Sequence, residues 1–152
     1  MTTAENLSAT DPSAIPWQAL VDAATSARSR AYAPYSGFRV GAALYTGDGD
    51  TITGCNVENR SYGLCICAER TAVVKAVEGG RMELRALVVV SGISPPALPC
   101  GMCRETLNEF APDDLPILVA NPEGERMRYT LRELHPAPFT WSGPGSAAGD
   151  SD

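Results

Sequence analysis

The segment Leu84-Arg85-Ala86-Leu87-Val88-Val89-Val90 is a nearly continuous apolar run. Such a run is typical of a central strand that is buried on both faces, and it needs covering elements on each side. Good helix formers occupy residues 67–77 before it, and Gly79-Gly80 provides a stop signal. A second helix is predicted over residues 101–110, after a proline-rich loop. The sequence therefore predicts a buried strand with a helix before and after it.

The segments outside this unit continue the α/β pattern. Pro16 suits the first turn of a helix, and apolar residues then recur at helical spacing through residues 16–31. The turn sequence Gly47-Asp48-Gly49-Asp50 joins two strand-like segments into a hairpin. The predicted strands are those of the hairpin, 38–45 and 51–57, and two later ones at 116–120 and 127–130, with a helical turn at 131–134. This order predicts a three-layer α/β/α sandwich around a mixed sheet of about five strands.

Length and composition indicate one globular domain. The chain has 152 residues, of which 44% are hydrophobic and 20% charged, which is enough apolar material for one core. We expect the domain to span 15–141, between flexible tails at 1–14 and 142–152. The N-terminal residues lack the basic start and apolar stretch of a secretory signal, and no apolar run approaches the roughly 18 residues that span a bilayer. We therefore expect a cytoplasmic protein that does not enter a membrane.

The net charge argues against a polymeric nucleic acid as partner. Twelve Lys and Arg residues oppose eighteen Asp and Glu residues, so the net charge is −6, and there is no basic run. Proteins that bind nucleic acid polymers usually carry a basic face. A neutral small substrate is compatible with this charge.

The cysteines point to metal or redox chemistry. There are five, an odd number, and two of them form a Cys-x-x-Cys pair, which does not suit a disulfide framework. Two motifs stand at predicted helix starts, Cys67-Ala68-Glu69-Arg70 and Pro99-Cys100-Gly101-Met102-Cys103. The unpaired N–H groups and positive dipole of a helix N-terminus favour the thiolate that zinc requires.

The spacing of these residues favours a catalytic zinc site. Cys100 and Cys103 lie one helical turn apart, so both sulfurs face the same point, and Cys67 adds a third sulfur if the two helix starts converge. Three protein ligands leave a fourth tetrahedral position for water. Glu69 is too close to Cys67 in sequence to bind the same ion easily, and it is better placed as a proton shuttle. A Cys-x-x-Cys pair alone would more often indicate a structural or redox site.

Several motifs, in order and spacing, resemble the cytidine deaminase family. The resemblance covers about residues 16–140, which makes it far more specific than the cysteine pair. The matching segments are Tyr32-Ala33-Pro34-Tyr35-Ser36-Gly37-Phe38-Arg39-Val40-Gly41-Ala42-Ala43, Gly54-Cys55-Asn56-Val57-Glu58-Asn59, Ser61-Tyr62-Gly63-Leu64, Cys67-Ala68-Glu69-Arg70-Thr71-Ala72 and Cys100-Gly101-Met102-Cys103-Arg104.

The resemblance implies a hydrolase of pyrimidine salvage. Such an enzyme converts cytidine and deoxycytidine to uridine and deoxyuridine with release of ammonia, and it uses Zn²⁺. The roles implied are zinc ligation by Cys67, Cys100 and Cys103, general acid/base catalysis by Glu69, and support of the thiolates by Arg70. This division of roles is the established scheme of zinc deaminases.

The resemblance also implies substrate contacts and an assembly. Asn56 and Glu58 would hold the ribose hydroxyls, and Phe38 would pack near the nucleoside. Phe139 resembles a C-terminal phenylalanine that stacks on the cytosine in a neighbouring subunit, and Tyr62 lies in a segment used at subunit contacts. Chains of this short type usually form a homotetramer with shared active sites.

Four positions depart from the family pattern. Arg60 stands where a small residue is usual, Glu105 replaces a common glutamine, Leu98 a common serine and His135 a leucine. These departures bear on the substrate more than on the reaction. We expect His135, the single histidine, to have a structural or surface role, and Cys55 and Cys65 to be buried or half-buried thiols.

Three other functions fit parts of the sequence. A deaminase of a modified cytosine compound would use the same zinc chemistry, but the Asn56-Val57-Glu58 segment favours an unmodified ribose. A structural zinc module would need a fourth protein ligand, for which neither Cys65 nor His135 is well placed. A polynucleotide cytosine editor is disfavoured by the acidic charge and by the absence of interleaved basic and aromatic residues.

Overall fold

A computed structural model describes residues 15–143 of the chain. The predicted tails therefore lie outside the described residues, apart from 142 and 143. The helices are α1 (Trp17–Ser29), α2 (Ala68–Glu78), α3 (Gly101–Phe110) and α4 (Leu131–Leu134), and a short 3₁₀ helix spans Tyr62–Leu64. The strands are β1 (Val40–Thr46), β2 (Thr51–Cys55), β3 (Leu84–Ser91), β4 (Pro116–Ala120) and β5 (Arg126–Thr130). No helix within the described part of the chain is long and apolar enough to cross a membrane.

The five strands form one mixed sheet in the order β2-β1-β3-β4-β5. β3 and β4 run parallel, and the other neighbouring pairs are antiparallel. α1 packs on one face of the sheet, and α2, α3 and α4 pack on the other. The predicted three-layer α/β/α sandwich with a mixed five-stranded sheet is confirmed.

Strand β3 is buried on both faces, as its composition predicts. Leu87 and Val89 contribute to the core under α2 and α3. Val88 and Val90, which alternate with them, contribute to the core under α1. The central strand thus joins two apolar layers, and the helix starts that carry the cysteines lie against one of them.

The hairpin strands are shorter than predicted because Asn56 takes over their pairing. β1 begins at Val40 rather than at residue 38, and β2 ends at Cys55 rather than at 57. The Val40 N–H donates to Asn56 Oδ1 at 2.8 Å, and Asn56 Nδ2 donates to the Phe38 carbonyl at 2.8 Å. A side chain therefore replaces the strand partner at this end of the sheet.

Gly54 lets α2 approach the sheet closely. A Cβ atom at this position would lie 2.3 Å from the Ala68 carbonyl oxygen and 2.5 Å from the Ala72 nitrogen. Both are backbone atoms of α2 and cannot turn aside. The first turn of α2, which carries Glu69, is thereby held against β2.

Replacing Gly54 with Ala is expected to lower the free energy of unfolding by about 1–3 kcal/mol, the usual cost of overpacking. Urea denaturation measures this change. Gly63→Ala is the matched control, because nothing lies within 4 Å of a Cβ there. A Gly54→Ala protein as stable as the parent would contradict the close approach.

Candidate active site

Three cysteine sulfurs meet where the starts of α2 and α3 converge. Cys67 is the N-cap residue of α2, Cys100 is the N-cap residue of α3, and Cys103 lies in the first turn of α3. The Cys67 and Cys100 sulfurs are 3.7 Å apart, and those of Cys100 and Cys103 are 3.5 Å apart. All three lie within 4.8 Å of one another.

This sulfur triangle fits zinc. With Zn–S bonds of about 2.3 Å, sulfurs at tetrahedral angles lie roughly 3.8 Å apart. The observed separations are close to this value and far too long for a disulfide, and all five cysteines are free. Within residues 15–143 no fourth Cys, His, Asp or Glu joins the cluster. Three soft ligands with a fourth position open are typical of a catalytic zinc site rather than a structural one.

The cysteines interact strongly with one another and with Arg70. The pKa of Cys67 is lowered to about 5, because the Cys103 thiol donates to its sulfur and Arg70 supplies a further donor and a positive charge. The pKa of Cys103 is raised, because it gives its hydrogen bond to Cys67 and is buried. The cluster therefore favours a thiolate on Cys67, the protonation state that a metal ligand needs.

Arg70 supports the cluster from the first turn of α2. Its Nη2 donates to the Cys65 carbonyl at 3.2 Å and to the Cys67 sulfur at 3.7 Å. Its Nε is buried and has no hydrogen-bond partner among the described residues. The guanidinium therefore joins the loop before α2 to the Cys67 sulfur.

Glu69 places a buried carboxyl group beside the sulfurs. It is 5% exposed, and it is the one buried acidic or basic side chain among residues 15–143. Burial raises its pKa to about 7, and the negative charge on Cys67 acts in the same direction, whereas hydrogen bonding from the Glu69 backbone N–H opposes the rise. A carboxyl group that is costly to bury and has no structural ion pair suggests a chemical role.

Asn56 is tied to the backbone of residues 38–40 by both ends of its amide. Besides the two side-chain bonds described above, its backbone N–H donates to the Val40 carbonyl at 3.2 Å. A primary amide has two N–H donors and two acceptor lone pairs, so one of each is still available. Phe38, whose carbonyl accepts from this amide, has a side chain that is 38% exposed.

Glu58 receives two backbone N–H groups from the loop after α1. Tyr35 and Ser36 donate to Oε1 at 3.1 and 3.2 Å. Desolvation raises the pKa of Glu58, but these two bonds and the Ser36 hydroxyl lower it by more. The pKa of Glu58 therefore lies below its usual value. Both backbone N–H groups bind Oε1, so neither of them occupies Oε2.

A short backbone bridge joins the Asn56–Glu58 pair to the three-cysteine cluster. Val57, between Asn56 and Glu58, exchanges backbone hydrogen bonds with Ile66, both at 3.0 Å. Ile66 directly precedes Cys67, so the Asn56–Glu58 pair and the three-cysteine cluster lie beside each other. Phe139 stands apart from them on the C-terminal segment and is 74% exposed.

The sequence alone does not reveal the contribution of Tyr35 and Ser36. Both residues lie in a segment that resembles the family, but no pattern predicts that their N–H groups bind Glu58. The available signal was the turn sequence Pro34-Tyr35-Ser36-Gly37, since a turn leaves N–H groups free of regular pairing.

Comparison with known proteins agrees with this geometry. Residues 16–119 match the family model of the cytidine and deoxycytidylate deaminase zinc-binding region. A cytidine deaminase from Halalkalibacterium halodurans is 46% identical over 123 residues, which is 81% of this chain and 93% of that protein. A cytidine deaminase structure from Burkholderia pseudomallei is 45% identical with a TM-score of 0.80, over 82% of this chain and all of that one (100%).

A more distant relative also matches. The blasticidin-S deaminase of Bacillus cereus is 31% identical over 109 residues, 66% of this chain and 76% of that protein. The family model, the near relatives and the fold agree with the three-cysteine cluster and its buried carboxyl group. The chain belongs to the cytidine deaminase family.

Proposed function

We propose that this protein is a zinc-dependent hydrolase that deaminates free cytidine and deoxycytidine to uridine and deoxyuridine, with release of ammonia. The observation that carries the proposal is the buried Glu69 carboxyl group beside three converging cysteine sulfurs. The acidic net charge of −6 supports a small nucleoside rather than a nucleic acid polymer as substrate.

Cys67, Cys100 and Cys103 would hold the zinc. When bound, the ion acts as a Lewis acid that makes water nucleophilic at neutral pH. Glu69 accepts the proton of the attacking water and delivers a proton to N3 of the cytosine ring. The water oxygen bonds to C4 of the ring, and Glu69 takes the second proton from this new hydroxyl group and passes it to the amino group. The C4–N bond then breaks, ammonia leaves, and C4 becomes the carbonyl carbon of uracil. Burial keeps this carboxyl group away from bulk water, so its proton stays on the reaction path.

The Asn56–Glu58 pair is our proposed sugar site. The spare N–H of the Asn56 amide and Oε2 of Glu58 would bind the sugar hydroxyls, with Phe38 against the nucleoside. Because the other atoms of both side chains are held by backbone groups, the site is organised before substrate arrives. Because ribose and deoxyribose share the 3′ and 5′ hydroxyls, we propose both cytidine and deoxycytidine as substrates.

We assign Phe139 to the active site of a neighbouring subunit in a homotetramer. Phe139 is 74% exposed, and Tyr62 and Leu64 are 77% and 69% exposed. Tyr62 and Leu64 lie together on the short 3₁₀ helix, and contiguous exposed apolar surface is typical of interaction sites. Size-exclusion chromatography with light-scattering detection is expected to give a mass four times the chain mass of 16.0 kDa. A monomer at assay concentration would contradict the shared site.

We place the enzyme in the cytoplasm, where thiol ligands stay reduced.

Replacing Phe139 with Ala is expected to raise the KM for cytidine roughly tenfold, with zinc content unchanged, because stacking of an aromatic ring on a base is worth about 1–3 kcal/mol. Steady-state kinetics and metal analysis measure the two quantities. A Phe139→Ala enzyme with the parent KM would remove Phe139 from the active site. If Phe139 acts across subunits, mixed tetramers of Phe139→Ala and Glu69→Gln chains should contain some active sites in which both Phe139 and Glu69 are intact. The activity on cytidine should then partly return.

A substrate series tests the proposed function. The zinc-loaded protein is incubated with cytidine, deoxycytidine, cytidine 5′-monophosphate, blasticidin S and a single-stranded oligonucleotide, with absorbance and ammonia followed together. We expect turnover of the two nucleosides and little of the others. Turnover of blasticidin S alone would favour the modified-substrate alternative and direct attention to the exposed Arg60.

A further inference from the structure

Helix α3 holds the start of the C-terminal segment at two adjacent points. Arg104 Nη1 donates to the Leu134 carbonyl at 2.7 Å, and His135 Nε2 lies 2.7 Å from Glu105 Oε2. An ionised carboxylate only accepts hydrogen bonds, so His135 Nε2 carries the proton and donates. Arg104 also donates from Nε to the Pro99 carbonyl at 2.7 Å, next to Cys100. The N-terminus of α3 and the C-terminal segment are therefore joined through two neighbouring residues.

Beyond His135 the segment has little else to hold it. Residues 136–143 make no hydrogen bond with another described residue, and most of them are exposed. Pro136 and Pro138 lie between His135 and Phe139, and each proline ring fixes a backbone dihedral angle. The two prolines therefore restrict the backbone between His135 and Phe139, so the orientation of His135 limits the positions that Phe139 can take.

The Glu105–His135 pair contributes little to folding. The two side chains are 50% and 21% exposed, and ion pairs in such positions add at most about 1 kcal/mol. α4 is anchored without the pair, because Leu131 and Leu134 are buried in the main core. Loss of the pair should therefore change the direction of the segment more than the stability of the domain.

We propose that Glu105 and His135 are positioning residues that aim the segment 136–143, and with it Phe139, from the helix that carries Cys100 and Cys103. This inference rests on the proposed role of Phe139 in substrate binding. It assigns a joint role to two residues that lie 30 positions apart in the sequence.

The first test follows the segment itself and needs neither zinc nor turnover. Trp17 and Trp141 are the two tryptophans, so a Trp17→Phe background leaves Trp141, 63% exposed, as the fluorescent reporter on the segment. We expect Glu105→Ala and His135→Ala each to lower the fluorescence anisotropy of Trp141. Glu105→Gln should keep the parent value, because an amide oxygen also accepts from His135. Glu109→Ala is the matched control, an exposed acid one turn further along α3. Unchanged anisotropy in both alanine variants would overturn the proposal.

The second test asks for the catalytic consequence. In otherwise unaltered chains, Glu105→Ala and His135→Ala should each raise the KM for cytidine about three- to fivefold. We expect kcat and zinc content to stay near the parent values, and the double variant to match the single ones. Effects that add in the double variant, or a fall in kcat with no change in KM, would contradict a shared positioning role.

Phe139→Ala separates this inference from the proposed function. If Phe139→Ala raises KM and the Glu105 and His135 variants do not, the positioning role fails and the role of Phe139 stands. If Phe139→Ala leaves KM unchanged while anisotropy falls in the Glu105 and His135 variants, the pair still orients the segment, and the substrate role of Phe139 fails.

Discussion

Replacing Glu69 with Gln is expected to lower kcat for cytidine by about 10²- to 10⁴-fold, the usual contribution of a positioned general acid or base. Glutamine keeps the size and hydrogen bonding of the side chain but transfers no proton. Zinc content should be unchanged, and the melting temperature should not fall, because a neutral amide is cheaper to bury than a carboxylate at a 5% exposed position. Steady-state kinetics, metal analysis and calorimetry measure these three quantities.

Glu78→Gln is the matched control for this experiment. Glu78 is the last residue of α2 and is exposed, so the substitution makes the same charge change on the same helix away from the sulfurs. It should leave kcat near the parent value. Equal turnover in the Glu69→Gln and parent enzymes would remove Glu69 from the proton path.

The second large effect is expected from Cys100→Ala. Two sulfur ligands bind zinc far more weakly than three, so affinity should fall by more than the roughly 10- to 100-fold seen when a supporting residue is lost. Turnover should fall with the bound metal. Competition with a chromophoric zinc chelator gives the affinity, and elemental analysis gives the occupancy.

Cys65→Ala is the control for Cys100→Ala. Cys65 is a half-buried free thiol two residues before Cys67, and it lies outside the metal-holding cluster. Its substitution should leave zinc occupancy unchanged. Full occupancy in Cys100→Ala together with zinc loss in Cys65→Ala would show that the ligand set has been assigned to the wrong cysteine.

The features that sequence could predict are those set by local pattern. The predicted α3 (101–110) and β4 (116–120) agree with the observed bounds, because prolines at 99, 112 and 122 interrupt regular structure just outside the two segments. The cysteine triangle was also predictable, since Cys67 and Cys100 each precede a helix that they cap. Local spacing determines which way such residues point once the helices form.

The features that sequence missed depend on contacts between distant segments. His135 and Glu105 are 30 residues apart, and Glu58 and Tyr35 are 23 apart. No local periodicity connects such pairs, because their meeting depends on how α3, α4 and the loop after α1 pack around the sheet. Asn56 shows the same limit: its amide bonds to the backbone of residues 38 and 40, so that β1 begins only at Val40, an effect that the alternating pattern at 38–45 does not reveal.

The most direct test of the account is a zinc titration of the metal-free protein, with cytidine absorbance and ammonia followed at each step. We expect activity to rise in proportion to added zinc, to level off at one zinc per chain, and to release one ammonia for each cytidine lost. A protein that holds one zinc per chain and leaves cytidine unchanged would contradict the central claim, and so would full turnover without zinc.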